Sequence, residues 1–101
     1  MANKSPISRR IKEARLQQGV SQKGLGIKAG MDQFSASARI NQYERSKHVP
    51  DYQTARRLAD AMEVPVTYLF TDDDELAELI LKFSQANKTQ KAKIKKFIKS
   101  L

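Results

Sequence analysis

Between residues 35 and 47 the chain gathers side chains suited to reading a hydrogen-bonding edge rather than to breaking a bond. Gln42 carries a carboxamide that donates and accepts at once, and Arg45 carries a planar fork of donors. Glutamine can form paired hydrogen bonds with an adenine edge and arginine with guanine, and a small apolar group such as Ala38 can meet the methyl of thymine. Ser35, Ser37, Arg39 and Asn41 surround them, and Lys47 follows Arg45 by two positions. Bond-making chemistry has little to work with. The chain has no cysteine and one histidine, His48, which argues against a thiolate or imidazole metal cluster and a histidine-based nucleophilic set. Gly24-Leu25-Gly26 follows no strand and is no phosphate-cradling loop. An enzyme, a metal site and a cofactor are therefore not expected.

Such a set can act together only from one side of an element. If the stretch from Ser35 to Arg45 is helical, at about 100° per residue Ile40 shares a face with Ala36, Tyr43 and Glu44. Ser35, Ala38, Gln42 and Arg45 then present the opposite face, flanked by Arg39 and Asn41. One side is anchored and the other is polar, without a large apolar group. A plain amphipathic surface helix is the alternative reading.

The remaining sequence is helical in pattern, with apolar residues recurring at three and four and no sustained alternation. Five short helices are expected, then two more. The first starts at Ser5-Pro6, carries Ile7, Ile11 and Ala14 inward, and ends by Gly19. The second is capped by Ser21 and stops at Gly30. The third lies within Ser35 to Arg45. Pro50-Asp51 opens the fourth, with Ala55, Leu58, Ala59 and Met62 inward, and a short fifth from about Pro65 to Phe70 buries Val66, Leu69 and Phe70. Asp72 to Glu75 favours the positive end of a sixth helix carrying Leu76, Leu79, Ile80 and Phe83. Thr89 can cap a seventh carrying Ile94, Phe97, Ile98 and Leu101. There is no internal repeat, low-complexity tract or flexible linker.

The 101 residues suit one compact fold, and 40% hydrophobic with 30% charged residues is ordinary for a globular chain. The start of the chain lacks the apolar run of a signal peptide, and no stretch approaches the roughly 20 apolar residues of a membrane span. A soluble cytoplasmic protein is expected. Charge is unevenly placed. Residues 1–57 hold a net +8, residues 58–81 a net −7, and residues 82–101 a net +7. The basic front half fits a polyanionic partner, double-stranded DNA in particular.

Several segments in order resemble one family. They are Arg10-Ile11-Lys12-Glu13-Ala14-Arg15, Ser21-Gln22-Lys23 with Leu25, and Lys28-Ala29-Gly30. Ile40-Asn41-Gln42-Tyr43-Glu44-Arg45, Pro50-Asp51, Leu58-Ala59 and Val64-Pro65-Val66-Thr67-Tyr68-Leu69 follow. Over about residues 6–70 the chain resembles the helix-turn-helix domain of phage repressors and Cro proteins, the XRE family. The resemblance implies an all-α, five-helix lambda-repressor-like DNA-binding domain over residues 1–71, extended by two C-terminal helices over residues 72–101. It implies that the third helix reads the major groove and that Gln22, at the head of the second helix, meets a phosphate. Arg45 and Lys47 are the corresponding grip on the other side, with Arg10 and Arg39 as weaker candidates. It also implies a partly buried ion pair, Arg15 with Glu44, fixing the third helix against the first.

The sequence departs from the family in places. Gly24 and Gly26 lie inside the second helix, each expected to cost about 1 kcal/mol there. Ile27 is an expected exposed apolar spot, and Glu63 occupies a position usually held by glycine. The stretch Asp32 to Ser37 is about four residues longer than usual, so Ser35 and Ser37 both qualify as caps for the third helix.

Residues 72–101 lie beyond the resemblance. Their two apolar stripes can pack within one chain, pair two copies, or grip another protein; a lysine-rich helix on an anionic membrane is a weaker fit. Lys88, Lys91, Lys93, Lys95, Lys96 and Lys99 read as a solvated face. The leading expectation is a homodimeric transcriptional repressor on a palindromic operator. The competing one is an antitoxin-like interaction module whose C-terminal helices bind a partner protein.

Overall fold

The computed structural model describes residues 5–101, and among these it is all-helical. The helices are α1 (Ile7–Gln18), α2 (Gln22–Lys28), α3 (Ala36–Glu44), α4 (Tyr52–Ala61), α5 (Val66–Leu69), α6 (Asp74–Gln85) and α7 (Lys88–Lys99). Five helices followed by two more is the architecture read from the pattern of apolar residues.

Most boundaries follow from side chains at the helix ends. The hydroxyl of Ser21 accepts from the amide of Gly24 at 2.9 Å, the Asp51 carboxylate from Thr54 at 2.8 Å, and the Asp73 carboxylate from Leu76 at 2.9 Å. Each satisfies an amide that the helix leaves without a partner, and removing one costs about 1 kcal/mol. Gly19, at φ 68°, turns the chain out of α1, and Gly30, at φ 89°, ends the segment after α2. The seventh helix is capped differently from the expectation on Thr89. Asn87 accepts from the Gln90 amide while the Gln90 side chain accepts from the Asn87 amide, a reciprocal box that leaves Thr89 inside the helix.

Ile7, Ile11, Leu25, Ile40, Leu58, Met62 and Leu69 are fully buried and form the centre of the core. The fifth helix corrects one expectation. Phe70 is 43% exposed, and Tyr68 is buried in its stead. Phe70 caps the C-terminus of α5, past its inward face, whereas the Tyr68 hydroxyl donates to the Glu13 carboxylate at 3.1 Å and its ring lies beneath the Arg10 guanidinium. Glu63 does adopt a left-handed conformation, at φ 57°, as does Ser46 just after α3, at φ 61°.

Gly26 has a packing reason. A β-carbon there would lie 2.6 Å from the β-carbon of Ala36, so the backbones of α2 and α3 meet where neither can be larger. The helix-propensity penalty of this glycine is offset by the close approach it permits. Gly26→Ala gains about 1 kcal/mol of propensity but forces the helices apart at a typical overpacking cost of about 1–3 kcal/mol. The net expectation is a lower denaturant midpoint with an unchanged m-value.

The sixth helix docks through Ala77, Ile80 and Leu81; of the stripe read from the sequence Ile80 takes part, while Leu76 and Leu79 stay exposed. Its other attachment is polar. Arg10 is 3% exposed; its Nε donates to the Thr71 carbonyl at 2.9 Å, and its Nη2 donates to the Asp72 carbonyl at 3.0 Å and the Asp74 carboxylate at 2.9 Å. Arg9 donates to the carboxylates of Asp72 at 2.8 Å and Asp74 at 2.6 Å. Arg9 first, then Arg10, hold the Asp74 carboxyl below its usual range. A folded-state value depressed in this way adds stability above the unfolded carboxylate pKa, and the contribution disappears as pH falls through the lower folded value. The seventh helix buries no residue. Phe97, Ile98 and Leu101 are exposed, and the radius of gyration is 15.0 Å, against about 13 Å for a compact chain of this length.

Candidate nucleic-acid interface

Helix α3 is held from behind. Ala36 and Ile40 are fully buried and Tyr43 nearly so. Behind its last turn, Arg15 Nε donates to Glu44 Oε2 at 2.6 Å and Arg15 Nη2 to Glu44 Oε1 at 3.0 Å. The side chains are only 12% and 4% exposed. Arg15 also donates to the Val20 carbonyl at 3.0 Å, so one guanidinium ties α1, the turn before α2 and α3 together. The Glu44 carboxylate correspondingly raises the Arg15 pKa.

The outer face is accessible. Ser37, Ala38, Arg39, Arg45 and Lys47 are exposed, and Ser35, Asn41 and Gln42 are half-buried. No other part of the described chain encloses this set. The left-handed Ser46 turns the backbone sharply after α3, with the Lys47 amide donating to the Gln42 carbonyl at 2.9 Å, and this leaves Arg45 and Lys47 together at the helix's C-terminal end. Arg39 leans back on α3, its Nη2 donating to the Tyr43 hydroxyl at 3.2 Å.

Gln22 sits at the seam of α2 and α3. Its amide nitrogen donates to Asn41 Oδ1 at 3.3 Å and Glu44 Oε1 at 3.2 Å, which fixes the two helices' polar edges relative to one another. This bridge, which the sequence reading did not contain, holds half-buried Asn41 through its acceptor and leaves its own N–H groups for another partner. Arg10 is not among the accessible cations. It is buried against α5 and the start of α6, and every bond it makes is to the chain itself, so the weaker assignment of a phosphate contact to Arg10 is withdrawn.

The start of α3 also differs from expectation. Ser35 occupies the N-cap position, but neither its hydroxyl nor that of Ser37 caps the helix. Asp32 supplies the acceptors: its carbonyl accepts from Ser35 at 3.1 Å and Ala36 at 2.9 Å, and its carboxylate from the Phe34 amide at 2.9 Å. An aspartate two residues ahead of the donating amide is the signal that locates this turn.

A second concavity lies between α1, α5 and α6, an open cleft of about 430 Å³ lined by Arg10, Glu13, Gln17, Tyr68, Glu78 and Lys82. Among the described residues there is no cluster of three His, Cys, Asp or Glu side chains placed to hold a metal ion. No helix among them is long and apolar enough to cross a membrane.

Comparison with known proteins places this geometry. The model of a family described as Helix-turn-helix matches residues 11–69. The solved crystal structure of the transcriptional regulator BswR is similar over 93% of this chain and 93% of that one, with 50% sequence identity and a TM-score of 0.89. No protein of curated function matches the sequence.

Proposed function

The chain belongs to the Cro/C1-type, XRE-like helix-turn-helix family, and on that premise we propose that it is a transcriptional regulator, a repressor that binds a palindromic operator in double-stranded DNA as a homodimer. Helix α3 is the groove-reading element. The observation that carries this reading is the two-sidedness of α3: its back is locked by Ile40, Tyr43 and the Arg15–Glu44 pair, and its front is polar and open. In this reading Ser35, Ser37, Ala38, Asn41 and Gln42 face base edges. Arg39, Arg45 and Lys47 neutralise phosphates or, for Arg45, reach guanine, and Gln22 meets a phosphate through its backbone amide at the positive end of α2, its side-chain donors being taken by Asn41 and Glu44. A cytoplasmic protein fits such a DNA target.

The exposed side chains of α6 and α7 support pairing of two copies. Leu76 and Leu79 stand among the carboxylates of Asp74, Glu75 and Glu78, and Phe97, Ile98 and Leu101 among the lysines of α7. A two-fold axis brings each acidic stripe against a basic one twice over, and half-sites then lie roughly 34–36 Å apart. The same exposed residues favour a second reading, an antitoxin-like module that grips a partner protein. A stoichiometric partner captured from native lysate through residues 72–101 would favour it.

The direct test selects bound duplexes from a random DNA pool and compares two variants on the winner. Gln42→Ala is expected to cost about 1–3 kcal/mol at one base position and to leave non-specific binding nearly intact. Lys47→Ala is expected to weaken all sequences alike and to flatten the salt dependence by about one unit for each copy bound. Equal weakening of every sequence by Gln42→Ala would remove it as a base reader.

A further inference from the structure

The residues leading into α3 do not form a loose loop. The Asp32 carbonyl accepts from both Ser35 and Ala36, the second in the helical i to i+4 pattern, and the Arg39 amide donates to the Ser35 carbonyl at 3.0 Å. Ser35 has helix-side backbone angles, φ −113° and ψ −9°. The Asp32 carboxylate pins the Phe34 amide at 2.9 Å. The ladder of α3 itself begins at the Ser35 carbonyl, so Asp32 to Ser35 form a pinned turn at the head of α3. Ala38 precedes Gln42 by four residues and Gln42 precedes Arg45 by three, spacings that lie on one stripe of a helix surface, and Phe34 stands in the turn ahead of that stripe's N-terminal end. Phe34 is 89% exposed and adds nothing to the core.

We infer that the turn Asp32 to Ser35 holds Phe34 at the head of the reading helix, and that Phe34 there reads a thymine methyl in the operator's major groove. This rests on the proposed DNA-reading role of α3. Three considerations favour duplex DNA as the partner of this ring. The N-terminal residues of a reading helix are those that reach base edges, and Phe34 is at that end of the stripe. Phenylalanine cannot hydrogen-bond, and thymine alone among the bases offers an apolar group in the major groove. The stripe from Ala38 to Arg45 runs about 10 Å along the axis, and Phe34, ahead of its N-terminal end, extends the reach of the readers. The ring's full exposure leaves its whole apolar surface to be covered by the groove rather than by the fold.

The test uses the full chain and a duplex selected by the wild type from a random pool. Phe34→Ala should melt at the wild-type temperature, bind mixed-sequence DNA as the wild type does, and bind the selected duplex about tenfold more weakly per half-site, the effect of losing partial burial of one aromatic ring. Replacing thymine by deoxyuridine, one position at a time, deletes only the methyl. One position per half-site should weaken the wild type by a similar factor and have no further effect on Phe34→Ala. Undiminished binding of the selected duplex by Phe34→Ala overturns the inference. So does equal weakening on all sequences, or a methyl deletion whose loss multiplies with that of Phe34→Ala at every position. If the wild type selects no preferred sequence, the DNA-reading role of α3 fails and takes this inference with it; a preferred sequence that tolerates Phe34→Ala sinks the present inference alone.

Discussion

Replacing Arg15 with alanine is expected to lower the midpoint of thermal unfolding by about 12 °C or more. The pair it makes with Glu44 is nearly closed to solvent, and its removal leaves a carboxylate that is 4% exposed with only the Gln22 amide as donor. Stranding one member of a buried pair costs about 3–5 kcal/mol, and in a domain of this size each kcal/mol moves the midpoint by about 4–8 °C. The low end applies because Arg15 retains some contact with water. Replacing both partners, Arg15→Met with Glu44→Leu, should cost much less than the two single changes together, since no lone charge is left behind. An unchanged melting temperature for Arg15→Ala would show that the pair does not hold α3 in place.

The second large effect is on binding. Raising the salt from 50 to 200 mM should weaken operator binding by about a thousandfold. Arg39, Arg45 and Lys47 give three accessible cations at the reading face of each copy. A pair of copies neutralising about six phosphates has a logarithmic salt slope of about −5, because each contact releases condensed counterions. Ile98→Glu, in the exposed stripe of α7, should leave the monomer's fold intact, yield a monomer by sedimentation, and halve that slope. A variant that sediments as a monomer yet keeps the full slope would show that one copy makes all the phosphate contacts. A variant that still sediments as a dimer would move the contact between copies away from α7.

The parts of this fold that were legible in the sequence are those fixed by neighbours along the chain. The back of α3 could be read because Ala36, Ile40 and Tyr43 recur at helical spacing, and the starts of α2, α4 and α6 because a serine or aspartate stands at each. What escaped depends on partners far away or on backbone groups. Arg10 looks like any basic residue of a front helix until Thr71, Asp72 and Asp74, some sixty positions on, are folded against it. Phe70 has the composition of a core residue, but only the end of α5 decides which way it faces. The beginning of α3 was hidden because its amides are satisfied mainly by the Asp32 carbonyl, a group every residue has, rather than by either serine hydroxyl.

The bare surface of α7 has a consequence for the cost of assembly. Its twelve residues are held by their own ladder, the Asn87–Gln90 box, half-buried Ile94 and the contact of Lys91 with the Phe83 ring. A helix of that length standing in water is marginal by itself. Two copies that meet through it must therefore supply part of the free energy that keeps it wound, so helical content should rise with protein concentration, and dilution should unwind this segment as it separates the copies. In the cell, the abundance of the chain would then set how much of it carries a complete C-terminus.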